Sequence, residues 1–140
     1  MTFDTLGDLN WLAVIVAALA YFAIGALWYS PVLFGNIWMA SAGRSTEGEA
    51  PGAAIYAVPL VGSLLSAIAV GMLVVATGTD TIGEGLVLGL VVAIGFVVAI
   101  VGVTATFEST KPKPGVWGAT TAGYHVVGVL VAASILAIWD

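Results

Sequence analysis

The chain contains no cysteine. Disulfides, thiolate metal sites, iron–sulfur clusters and covalently attached c-type haem are therefore excluded. Charge is nearly as scarce. Charged residues make up 8% of the 140 residues, with three Lys or Arg against eight Asp or Glu. A soluble domain carries roughly 25% charged residues, because its surface must be wetted. So few charges do not coat a globule of this size. The net charge of -5 argues against nucleic acid as a partner, since that needs a basic patch. No nucleophile–base set, Gly-rich phosphate loop or metal-ligand spacing is found. The expectation is no enzyme and no cofactor.

What is abundant is apolar. Hydrophobic residues make up 61% of the chain, and the mean hydropathy is +1.13. The solvent for most of the surface is expected to be the lipid bilayer. A hydrocarbon core of ~30 Å needs ~20 apolar helical residues. Four segments qualify, at about 9–30, 53–76, 85–107 and 116–139, and none has Asp, Glu, Lys or Arg in its interior. The in–out alternation of a barrel strand is missing. The expected fold is all-α: an integral membrane four-transmembrane-helix bundle, one domain over 1–140. Pro51 and Pro114 stand before or at the starts of the second and fourth spans, where a missing N–H costs little. The opening M-T-F-D-T-L-G-D is acidic where a signal peptide needs positive charge. The first segment therefore reads as a retained helix.

Orientation follows the basic residues. With four spans, the 31–52 and 108–115 loops share one side and hold Arg44, Lys111 and Lys113. The other side carries Asp4, Asp8, Asp80, Glu84 and Asp140. The positive-inside rule puts the basic loops in the cytoplasm and both termini outside a cell membrane. Tryptophans agree: Trp11 to Trp28 spans ~26 Å and Trp117 to Trp139 ~33 Å at 1.5 Å per residue, bracketing the hydrocarbon as interfacial belts do.

Lipid supplies no hydrophobic force between helices, so small residues that allow close approach do that work. Gly85 and Gly89, and Gly123 in the fourth span, are the candidate packing positions. Two readings stand: packing within the bundle, or a subunit interface on Gly85 and Gly89. Four spans leave much surface to lipid, so a homo-oligomer or a partner membrane protein is expected.

His125 is the only ionisable side chain well inside a span. Such groups are costly and usually face the bundle interior. By depth, Tyr21, Ser63 and Ser66 lie near the same midplane, so these four form a candidate polar cluster. A hydrogen-bonded neutral histidine, a proton or ion relay, and metal ligation across an oligomer axis all remain open. Glu108 is expected in a solvated loop with Lys111 and Lys113, or paired to Arg44.

After the first span comes W-Y-S-P-V-L-F-G-N-I-W. Pro31 deletes the hydrogen bond to the Leu27 carbonyl and pushes Ser30 from helical geometry. The span should end or kink at 30–31, with a short interfacial helix over about 32–42. Phe34 and Trp38 would share a face, and Gly35 would allow close contact with another helix. Trp28 and Tyr29 would anchor the span's inner end.

These motifs carry a resemblance. Trp28, Tyr29, Ser30, Pro31, Phe34, Gly35 and Trp38, followed by Gly123, Tyr124 and His125, resemble the prokaryotic family called domain of unknown function 1761. The resemblance covers nearly the whole chain. It implies a small four-span membrane protein and no assigned activity. Two function classes follow from the residues. One is a non-enzymatic oligomeric or accessory membrane subunit. The other is a small channel or transporter for protons, ions or a small polar solute, using the midplane cluster.

Overall fold

A computed structural model describes residues 2–45 and 52–139. Pro51 and Asp140, used above for a helix start and for the acidic side, lie outside the described residues. The fold is an all-α four-helix membrane bundle. Its helices are α1 (Trp11–Trp28), the short α2 (Gly35–Ser41), α3 (Ala57–Thr77), α4 (Ile82–Phe107) and α5 (Pro114–Ile138). Four of them, all but α2, are long and apolar enough to cross a membrane.

Local chemistry sets the ends. The Asn10 side chain accepts from the Ala13 amide at 3.2 Å and caps α1. The same side chain donates to the Trp139 carbonyl at 2.8 Å, tying the start of the first span to the end of the last. At the end of α3, Gly78 takes the left-handed conformation at φ +65°, which glycine adopts without a Cβ penalty. Thr81 caps α4 by accepting from the Glu84 amide, while the Glu84 carboxylate accepts from the Asp80 amide. This reciprocal pattern resembles a capping box. It starts the third span at Ile82, three residues before the expected Gly85.

The α5 helix is central and packs on α1, α3 and α4, whereas α3 and α4 barely meet. Gly85 and Gly89 of α4 face α5. A Cβ on Gly85 would lie 2.9 Å from the Ala133 carbonyl oxygen and from Ala137 Cβ. One on Gly89 would lie 3.2 Å from Ala133 Cβ. The subunit-interface reading of this stripe is therefore corrected: the fourth span already occupies it.

The same face continues at four-residue intervals through Ala93, Val97, Val101 and Ala105, buried or half-buried throughout. At about 100° per residue, a four-residue step drifts by about 40°. A straight α-helix would carry this stripe off its neighbour. The π-helical turn over Ala93–Val98 holds more residues per turn and takes back part of that drift. Farther down, a Cβ on Gly118 would meet Ala105 Cβ at 2.6 Å, so α4 and α5 remain in contact.

Pro31 ends the first span as expected. The Leu27 carbonyl, without a proline donor, accepts instead from the Ser30 amide at 3.2 Å and the Ser30 hydroxyl at 2.7 Å. The chain turns back through Phe34 N–H to Trp28 O and Gly35 N–H to Ser30 O, both 3.0 Å. A Cβ on Gly35 would run into the carbonyl oxygens of Tyr29 and Ser30. Gly35 thus serves closure of its own turn, not approach to another helix. The short helix is trimmed from the expected 32–42 to Gly35–Ser41. It lies along the first turns of α5, where the Ser41 carbonyl accepts from the Lys113 amide at 3.3 Å.

Candidate functional site

Two tyrosines build the centre of the α1–α5 contact, each with a glycine four residues on: Tyr21 with Gly25, and Tyr124 with Gly128. In antiparallel helices these pairs interlock. The Tyr21 ring occupies the space a Cβ on Gly128 would need. The Tyr124 ring lies 3.0 Å from the Cβ position of Gly25. One turn farther, Trp28 lies 3.0 Å from the Cβ position of Gly123 and donates Nε1–H to the Thr120 carbonyl at 3.0 Å. Bare backbone on one helix seats a ring from the other, which is how small residues allow tight packing without a hydrophobic force.

The rings then form a continuous row. Trp38 meets Tyr29 at 5.3 Å, Tyr29 meets Tyr124 at 5.4 Å, and Tyr124 meets Tyr21 at 5.4 Å between centroids. Each separation falls in the range of favourable tilted aromatic pairs. Phe34 adds a contact with Trp28 at 4.5 Å. The W-Y-S-P-x-x-F-G-x-x-W corner and the G-Y-H stretch are thus two halves of one packed unit.

Polar atoms line this row. The Tyr21 hydroxyl lies 2.7 Å from His125 Nδ1 and 3.4 Å from the His125 carbonyl. Tyr21 is only 2% exposed, while His125 is half-buried. Two arrangements satisfy the pair. The hydroxyl donates to Nδ1 of an imidazole protonated at Nε2, or it accepts from Nδ1–H and donates to the carbonyl. The second also accommodates the imidazolium. The Tyr124 hydroxyl faces buried Ser63. Trp38 Nε1 donates to the Thr121 hydroxyl at 3.3 Å.

Of the four expected midplane residues, the structure brings Tyr21, His125 and, through Tyr124, Ser63 together. Ser66 is half-buried one turn along and takes no part in these hydrogen bonds. Tyr124, Gly25 and Gly128 were not placed in the cluster from sequence. The repeated Tyr-x-x-x-Gly spacing on two helices was the signal. Thr104, Thr106 and Thr120 bond to carbonyls of their own helices, a common habit of threonine in membrane helices.

In the 108–113 loop, Glu108 pairs with Lys111 at 2.6 Å, not with Arg44. The Lys111 ammonium and the Thr110 hydroxyl and amide hold its carboxyl well below the usual range, at about 2. Arg44 lies instead over the Trp38 ring, and Lys111 over that of Trp117. No group of three or more His, Asp or Glu that would hold a metal ion is found among the described residues.

The family model described as "Protein of unknown function (DUF1761)" matches residues 12–137. No curated protein and no solved structure matches the chain.

Proposed function

The chain belongs to the DUF1761 family of proteins of unknown function, and we propose that it is a non-enzymatic membrane subunit acting by association. The partner is a second copy or another membrane protein. One observation carries this reading. The third span is the most apolar of the four, yet only 11% of its most apolar stretch is buried. Its inward stripe is spent on α5. Its opposite side presents Val87, Val91 and Val103, each more than half exposed, and the backbone of Gly95, where an added Cβ would meet nothing within 4 Å. Open glycine backbone on a lipid-facing helix suits close approach of another helix. The proposed orientation keeps Arg44, Lys111 and Lys113 in the cytoplasm and both termini outside. The test is co-purification from membranes of a tagged chain co-expressed with an untagged copy. The reading predicts that the untagged copy, or a stoichiometric membrane protein, is retained. A tagged chain that elutes alone as a monomer in mild detergent contradicts it.

A second reading is favoured by the 2.7 Å contact between Tyr21 and His125. A midplane imidazole with two satisfied hydrogen-bond arrangements suits a proton or ion relay. Flux in proteoliposomes between pH 5 and 8, lost in His125→Ala, supports that reading. Flux equal to that of empty liposomes opposes it.

A further inference from the structure

The three basic residues of the chain, Arg44, Lys111 and Lys113, come together at one end of the bundle. A Cβ on Gly43 would stand 3.1 Å from Pro112 Cδ, and the Ser41 carbonyl accepts from the Lys113 amide. These contacts clamp the turn that carries Arg44 onto the loop that carries both lysines. The nearest described carboxylate, Glu108, is held by Lys111 and Thr110. Lys113 is exposed and forms no ion pair among the described residues.

A groove opens beside Lys113. It runs between the lower halves of α4 and α5, and its walls include Val98, Gly102 and Ala105 on one side and Gly115, Ala119 and Ala122 on the other. Pro114, the residue after Lys113, forms its rim. From Pro114 to Ala122 the groove is ~12 Å long at 1.5 Å per residue. It therefore starts at the basic end and stops near the middle of the hydrocarbon. That is two helical turns, too short to seat a transmembrane helix along its length. It fits an acyl chain entering from the headgroup layer.

We propose that this groove is a binding site for an anionic glycerophospholipid of the surrounding leaflet. One acyl chain lies between α4 and α5 against Gly102, Gly115 and Ala119. The phosphate sits at Lys113, the lysine that Glu108 leaves unpaired, with Arg44 on the adjoining turn. Basic pockets between membrane helices at the headgroup level bind such lipids by the same combination of charge and apolar wall.

The test uses the full chain in mild detergent, with native mass spectrometry reading bound phosphatidylglycerol against phosphatidylcholine of identical acyl chains. The wild type should retain phosphatidylglycerol preferentially. Lys113→Gln should cut that preference by about fivefold, the effect of one basic residue near a lipid surface. Ala119→Trp fills the groove from an exposed position and leaves every basic residue in place. It should abolish retention of the lipid. Equal retention of the two lipids by the wild type overturns the proposal. So does a phosphatidylglycerol preference that survives Ala119→Trp, which would reduce the effect to general surface charge. A second copy of the chain cross-linked into the groove at Ala119 overturns it as well.

Discussion

The Tyr21 hydroxyl lies 2.7 Å from Nδ1 of His125, and it is held there by a glycine. The Tyr21 ring rests where a side chain on Gly128 would stand, so the position of the hydroxyl depends on the absence of a single carbon atom.

Gly128→Ala therefore pushes Tyr21 out of its seat. The cost expected is about 1–3 kcal/mol, the usual penalty for overpacking a tight core. Gly25→Ala, where the added carbon meets the Tyr124 ring at 3.0 Å, costs less. Unfolding of both variants in detergent checks the order. Equal stability of all three proteins would sink the ring-on-glycine account.

Trp28→Phe removes both the indole N–H that serves the Thr120 carbonyl and the Cζ2–Cη2 edge that seats on Gly123. A loss above the about 0.5–1.5 kcal/mol of one net hydrogen bond is expected. Trp28→Ala removes the rest of the ring and should cost more still. Detergent unfolding of the two variants checks this ranking, and a Trp28→Phe protein as stable as the wild type would contradict it.

Gly35→Ala sets a carbon against the carbonyls of Tyr29 and Ser30 and prevents closure of the corner. Backbone does not yield as a flexible side chain does. The expected signature is loss of the Trp38 indole contact with Thr121, read as a shift of the tryptophan N–H resonance. An unchanged resonance would show that the corner tolerates the extra atom.

Much of this was legible in the sequence, and the divisions are physical. The four spans follow from length and hydropathy, because an apolar run of about 20 residues has few other fates in a cell. The corner follows from Pro31, a local effect of a missing N–H. What Gly85 and Gly89 face was not legible, because small residues permit close approach without naming the neighbour. The same limit applies to Gly35, whose partner turned out to be its own turn. Depth alone grouped Ser66 with Ser63, although only Ser63 is buried. The π turn in α4 was also hidden: it answers the drift of a four-residue stripe against α5, a relation between two helices that no single segment carries.

Outside the spans, Glu108 gives a pH test. Its pKa is lowered from the ordinary carboxylate value, first by the Lys111 hydrogen bond and then by Thr110. A depressed folded value means that its contribution to stability is present above the unfolded value of roughly 4.3 and is lost as pH falls toward about 2. The carboxyl carbon resonance of Glu108 should titrate near that low value in the wild type. In Lys111→Met it should move up toward the ordinary range. A midpoint that ignores the substitution would remove Lys111 as the main cause.

The most direct test of association through the third span exploits the absence of cysteine. Val87→Cys and Val91→Cys place single thiols on the exposed side of α4, and Ala93→Cys places one on the buried side against α5. Each full-length variant is oxidised in its native membrane and analysed without reductant. The account predicts disulfide-linked dimers, or a cross-link to one membrane protein through a bifunctional thiol reagent, for Val87→Cys and Val91→Cys but not for Ala93→Cys. Monomer alone from both exposed positions, at expression levels where the tagged chain is readily detected, would contradict it.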